Sequence, residues 1–229
     1  MDTTTDPLDP VRSLISRATG DEKHDESSSS TLDAVWVLYD RVLRVDPHDP
    51  RAEDRDRFIL SKGHGPVALY AVLAAKGFFP QGWLDSFMDH GGRLGSHPDR
   101  QLVPGVEAST GSLGHGLPIA VGVALALRAK GLTAPRVFVL CGDAELNEGS
   151  NWEAILLAPH LRLGNLTLLI VDNHSSVLEM APWEARIGSF GWEVRVVDGH
   201  AHDALEGALR TRRGTTPVAV VADIPKGEW

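Results

Sequence analysis

Residues Gly142–Asn173 read GDAELNEGSNWEAILLAPHLRLGNLTLLIVDN. An apolar run, RVFVLC (136–141), leads into Gly142 and Asp143, a helical stretch follows, and a second apolar run, LTLLIVD (166–172), delivers Asn173. Short apolar runs separated by a helix-length segment are the signature of a parallel β-α-β unit, whose strands are buried on both faces. If the two strands are neighbours, Asp143 and Asn173 emerge side by side at their carboxyl ends, where open α/β sheets bind ligands. A carboxylate and an amide oxygen at that edge suit a hard cation and a phosphate.

Working outward, the same alternation continues on both sides. Upstream, RDRFIL (55–60) is a short apolar run before Ser61-Lys62-Gly63-His64-Gly65 and a helix that starts with Pro66. Downstream, FGWEVRVVDG (190–199), a helix near 202–212 and PVAVVADI (217–224) complete the pattern. The expected fold class is α/β, a mainly parallel sheet with helices on both faces. The leader, residues 1–23, reads as a flexible or short helical segment, with residues 11–20 its helical part, and residues 24–229 as one domain. DEKHDESSSS (21–30) reads as a loop by composition, with Thr31 capping the helix that carries Leu32, Val35, Trp36, Tyr39 and Val42 at helical spacing. Residues 80–89 predict another short helix.

Composition excludes several roles. With 31 acidic and 22 basic residues the chain carries a formal charge of −9, which opposes nucleic acid or an anionic membrane as the main partner. No run of about 18 apolar residues occurs, so no membrane span is expected. The start, MDTTTDPLDP, lacks the basic and apolar regions of a signal peptide. The single cysteine, Cys141, cannot form an internal disulfide and reads as a buried small hydrophobe, in keeping with a reducing, cytoplasmic setting.

Two glycine-rich loops stand before helices. In Gly63-His64-Gly65 the glycines let backbone approach a ligand closely, and the unpaired N–H groups of a helix start favour an anion. On spacing alone His64 reads equally well as a cap or core histidine. The second loop, Glu107–Gly116, EASTGSLGHG, precedes a helix rich in small residues, among them Gly122, Ala124 and Ala126, which suit close helix packing. His97, before Pro98 in GSHPD, is held extended. Neither a P-loop nor a G-x-G-x-x-G after a first strand is present.

The spacing of Gly142-Asp143 and Asn173 closely resembles the thiamine diphosphate motif, and GDAELNEGSNWEA is similar to that of transketolases. LYDRVLRVDP, RDRFILSKGHG, GSHPD, PGVEASTGSLGHG, LRLGNLTLLIVDN, FGWEVRVVDGH and PKGEW occur in the transketolase order. The resemblance runs from about His24 to Trp229. It implies that Asp143, Asn173 and the main-chain oxygen of Ser175 bind the metal, magnesium with calcium or manganese as alternatives. It implies that His64, Gly142 and Ala144 lie against the cofactor diphosphate, and Gly111, Ser112 and Leu113 against the aminopyrimidine. His97 matches a histidine that binds the donor's hydroxyls, His24 another substrate-side histidine, and Glu148 a glutamate buried at the subunit contact.

Three departures accompany these matches. KHDESSS (23–29) stands where the family commonly has GHPGGS, Ala144 replaces the third residue of GDG, and His115 replaces a common glutamine. The family's pyrimidine-binding domain, with the glutamate that activates the cofactor, is not in this sequence. The resemblance therefore implies the N-terminal subunit of a split transketolase, transferring a two-carbon ketol unit from a ketose to an aldehyde. A C-terminal transketolase subunit would complete it in a heterotetramer of two of each chain. The alternatives are a non-catalytic cofactor-binding or scaffolding subunit, or another thiamine diphosphate-dependent C–C bond reaction.

Overall fold

The computed structural model describes residues 6–19, 25–211 and 214–227. Five strands form one sheet: β1 (Arg57–Leu60), β2 (Val137–Gly142), β3 (Leu166–Asp172), β4 (Glu193–Asp198) and β5 (Val218–Asp223). Every pairing is parallel and the order is β1-β2-β3-β5-β4. The expected parallel sheet is therefore present, and β2 and β3 are direct neighbours, with Gly142 opposite Val171. β1 and β2 are buried throughout, whereas the edge strand β4 is largely half-buried or exposed, as a strand with one unpaired side and alternating polar residues should be.

Alternate strand residues face two separate cores. Phe58, Leu60, Phe138, Leu140, Leu169, Val171, Val220 and Ala222 pack under α1 (Asp9–Ile15), α2 (Asp25–Val37), α3 (Pro66–Ala75) and α7 (His202–Arg210). Ile59, Val139, Cys141, Leu168, Ile170 and Val221 pack under α4 (Gly116–Ala129), α5 (Gly149–His160) and α6 (Trp183–Gly188). Leu8, Val11 and Leu14 are buried in the first of these cores, so α1 lies packed on the domain. None of the helices described is long and apolar enough to cross a membrane.

Helix α2 corrects the compositional reading for residues 25–30; residues 21–24 lie outside the described residues. It begins at Asp25, so Ser27–Ser30 are helical and Thr31 lies inside the helix, where no cap is needed. The hydroxyls of Ser30 and Thr31 donate back to the Ser27 carbonyl at 3.3 and 2.7 Å, the local bond through which Ser and Thr are accommodated in helices. Ser28, Ser30 and Thr31 are fully buried, and their small size lets α2 lie close to the sheet edge. The helix closes in a π-turn over Leu38–Val42, ahead of Pro47. The segment around residue 80 forms a 3₁₀ helix, Gln81–Ser86. On α4, Ala124 is buried against the sheet, but Gly122 and Ala126 are exposed, and among the described residues nothing lies within 4 Å of a Cβ placed at Gly122.

Candidate active site

The carboxyl ends of β1, β2 and β3 converge on one edge. Asp143 follows β2 and is 1% exposed; its N–H donates to the Val171 carbonyl of β3 at 3.1 Å, which fixes the carboxylate beside β3. Its Oδ2 accepts the N–H groups of Ser175 and Ser176 at 2.7 and 2.9 Å, and Oδ1 accepts the Ser175 hydroxyl at 2.7 Å. The segment after Asn173 is thus folded back over Asp143, and His174 takes a left-handed φ of 55° to make that reversal. Asn173 is buried; its Nδ2 donates weakly to Ser30 Oγ at 3.4 Å, while its Oδ1 is buried without a hydrogen-bond partner. Buried oxygens of this kind are normally satisfied by protein, ordered water or a ligand.

Ala144 lies in a 3₁₀ turn, Ala144–Asn147, and has no positive φ. The methyl group standing in place of the family's glycine therefore introduces no backbone strain.

The two glycine loops meet beside these residues. A Cβ at Gly63 would lie 3.5 Å from Gly111 Cα and from the His97 ring, and a Cβ at Gly111, whose φ is +138°, would come within 2.6 Å of that ring. Only glycine permits this approach. His64 and His97 are both exposed, with ring centroids 6.4 Å apart. The Tyr70 hydroxyl lies 3.0 Å from the carbonyls of Gly95 and His97 and positions the His97 segment. Ser112 and Leu113 are exposed at the tip of the second loop. Glu148 is exposed at the N-terminus of α5, its Cβ 2.5 Å from where a Cβ at Gly114 would lie. The structure therefore gathers His64, His97, Gly111, Ser112, Leu113, Gly142, Asp143, Ala144, Asn173 and Ser175 along one face of the sheet edge. His24 lies outside the described residues.

Four further residues belong to this edge and were not singled out from the sequence: Ser30, Ser61, Lys62 and Glu145. Lys62 Nζ donates to Ser30 Oγ at 2.9 Å and approaches the Ser27 carbonyl at 3.4 Å. Burial pushes its ammonium pKa down to about 8, with Asp143 and Glu145 holding it up. Its stem underlies Gly142, 3.4 Å from the position of a Cβ there. Glu145 is 2% exposed; burial raises its carboxyl pKa, opposed by hydrogen bonds from Ser61, Gly114 and Gly142. The only sequence signal for these two was a charged residue within three positions of the end of an apolar strand.

The donor set fits a magnesium diphosphate. It offers carboxylate and amide oxygens with no sulfur or nitrogen ligand, an unsatisfied buried oxygen, a buried ammonium, and glycine loops that let backbone approach closely. A separate trio, Asp172, His174 and Asp223, also lies within mutual reach, but there His174 Nε2 already meets Asp223 at 3.0 Å and Asp172 accepts the Trp183 indole N–H at 2.5 Å.

Residues 14–220 match the family model described as transketolase, thiamine diphosphate binding domain. The chain belongs to the transketolase family. It is 48% identical over 219 residues to a protein named ferredoxin fas2 of Rhodococcoides fascians, the match covering 95% of this chain and 72% of that one. It is 37% identical over 215 residues to an apulose-4-phosphate transketolase subunit of Actinobacillus succinogenes, covering 89% and 76%. The transketolase of Leishmania mexicana superimposes with a TM-score of 0.76 at 28% identity, over 90% of this chain and 37% of that one. The chain thus spans most of the Actinobacillus subunit and a little over a third of the solved Leishmania transketolase chain.

Proposed function

We propose that this chain is the cofactor- and metal-holding subunit of a two-component transketolase, moving a two-carbon ketol unit from a ketose donor to an aldehyde acceptor. The observation that carries the reading is the convergence at one sheet edge of buried Asp143, the unsatisfied Asn173 Oδ1, buried Lys62 and two touching glycine loops. Thiamine diphosphate, when bound with magnesium, supplies a nucleophilic carbon for C–C cleavage and formation. Everything else is orientation and charge placement by protein.

Asp143 and Asn173 Oδ1 hold the metal, with the main-chain oxygen of Ser175 as third ligand. Their burial keeps water from competing for the ion. Gly142, Ala144 and His64 lie against the diphosphate, and the Lys62 ammonium offsets its charge. Gly111, Ser112 and Leu113 form the floor for the aminopyrimidine. His97 and His64, exposed and adjacent, bind donor hydroxyls and pass protons at the substrate oxygens. His24 is proposed to join them from the substrate side. Glu148, exposed at a helix N-terminus, faces a partner subunit that supplies the activating glutamate. The working assembly is proposed as two of each chain in the cytoplasm.

The name of the Actinobacillus relative, an apulose-4-phosphate transketolase given as one of its subunits, supports a ketose donor and a split enzyme. The ferredoxin name of the Rhodococcoides relative carries no cluster to this chain, because its one cysteine, buried in β2, cannot supply the thiolates of an iron–sulfur centre.

Calorimetry of thiamine diphosphate with magnesium tests the site: wild type binds and Asp143→Ala binds at least tenfold more weakly. A donor–acceptor assay tests the split: this chain mixed with a C-terminal transketolase subunit turns over, and each chain alone does not. Turnover of a ketose by the isolated chain, or magnesium-independent binding, overturns the reading.

A further inference from the structure

We infer that Glu145 is a positioning residue, which sets the gap between the glycine loop Gly111–Gly116 and the strand end Gly142–Asp143; this deepens, and rests on, the proposed site for what fills that gap.

Glu145 is buried to 2% exposure and accepts bonds from the exit of β1, from the glycine loop and from the end of β2 that leads into it, with the Cys141 thiol also against it. Its Oε1 accepts the Ser61 hydroxyl at 2.5 Å, from the exit of β1, and the Gly114 N–H at 3.0 Å, from the glycine loop. Its Oε2 accepts the Gly142 N–H at 3.4 Å, from the exit of β2. Ser61 extends the connection, because its Oγ also accepts the Gly116 N–H, the first of α4, at 3.0 Å. The contact is tight: a Cβ at Gly116 would lie 2.3 Å from Ser61, and a Cβ at Gly114, at φ +80°, would lie 2.5 Å from Glu148.

A buried carboxylate is a poor way to gain stability, since an apolar side chain of similar volume commonly does as well or better. What it contributes here is geometry. Carboxylate oxygens accept several bonds each, so one side chain ties the glycine loop, which lies outside the strand ladder, to the exits of the paired strands β1 and β2. The loop is then held at both ends: at Gly111 by the His97 ring and Gly63, and at Gly114–Gly116 by Glu145 and Ser61. In the proposed site Gly111 to Leu113 meet one end of the ligand and Asp143 the metal at the other. Displacement of the loop by about 1 Å relative to Asp143 would misplace the bound group.

The test uses the full chain as wild type, Glu145→Gln and Ser61→Ala. The amide of Glu145→Gln keeps the shape but turns N–H groups toward the Gly142 N–H, and Ser61→Ala removes the bridging hydroxyl. Calorimetry with magnesium and thiamine diphosphate separates position from folding, because a loosened loop weakens affinity at a full complement of sites, whereas a folding defect lowers the number of sites at unchanged affinity. The expected result is affinity weakened by about tenfold in Glu145→Gln and about threefold in Ser61→Ala, with sites still fully titrated. Amide hydrogen exchange, measured without ligand, is expected to quicken at Gly114 and Gly116 in both variants. Wild-type affinity with wild-type exchange, or fewer sites at wild-type affinity, overturns the inference. If Glu145→Gln does not fold, Ser61→Ala decides by the same two readouts. If the wild type binds no thiamine diphosphate, the proposed function fails, while unchanged exchange at Gly114 and Gly116 still overturns the role given to Glu145.

Discussion

Lys62 shows what burial does to one charge. Its pKa falls from 10.5 to about 8 on folding, so between these values the unfolded chain holds a proton that the folded chain has released. Stability therefore rises with pH across that window, and the cost of burying the ammonium is fully present below pH 8. Lys62→Met should be the more stable chain at pH 7.5, and its advantage should shrink by roughly 2 kcal/mol by pH 9.5. Urea unfolding of both chains at the two pH values measures this; an advantage that stays constant would remove Lys62 as the titrating group. A protein that keeps such a cost beside Asp143 and Asn173 is consistent with an anion to be neutralised there. Asp143, Asn173, His64 and His97 could be picked out from sequence because each follows an apolar run or sits among glycines. Glu145 and Ser61 could not, because an acid or a serine after a strand is ordinary until its three partners are seen together.

At the opposite end of the sheet, β1 is joined to its surroundings by Asp56. That side chain is fully buried and accepts bonds from the main-chain N–H groups of Arg44 and Arg136 at 3.0 and 2.8 Å and from both guanidinium groups. Burial pushes its pKa up, but the bonds from Arg136 and Arg44 win and hold it below the ordinary value. A depressed carboxyl pKa stabilises above the unfolded value of about 3.9 and loses that contribution as pH falls through the folded one. Asp56→Asn should cost about 3 kcal/mol at neutral pH and flatten the acid limb of the stability profile. Thiamine diphosphate affinity should be unchanged, because the ligand edge lies at the other end of the strands. Thermal unfolding at steps from pH 7 to below pH 3, with calorimetry on the pH 7 samples, checks it; a loss under about 1 kcal/mol at pH 7 would mean the cluster is not desolvated. Among the elements, the strands were legible because burial on both faces leaves an apolar run. The first turns of α2 were not, since Ser27–Ser30 are helical through tertiary partners, Lys62 and Asn173 among them, that a local window does not contain.

The molecule as a whole presents a ligand edge with few walls. His64, His97, Ser112, Leu113 and Glu148 are all exposed on this chain, although the site chemistry proposed for them needs water excluded. The missing wall is the natural place for a second subunit. Sedimentation of this chain with a C-terminal transketolase subunit should give a heteromer whose thiamine diphosphate affinity exceeds that of the chain alone. Glu148→Ala should weaken that association with little change in the stability of the isolated chain. Equal affinity with and without the partner would indicate that the edge is complete as it stands.

The sequence by itself determined the parallel α/β plan, the choice of Asp143 and Asn173 as strand-end residues and the transketolase resemblance. These depend on periodicity, on residues directly after strands and on ordered motifs, all of which are local along the chain. Only the tertiary structure decided that the two glycine loops touch, that Asn173 Oδ1 is left unsatisfied, that α2 starts before its serines and that Glu145 joins three strand and loop ends. Each of those depends on how segments distant in sequence settle against one another, and no one-dimensional pattern encodes that.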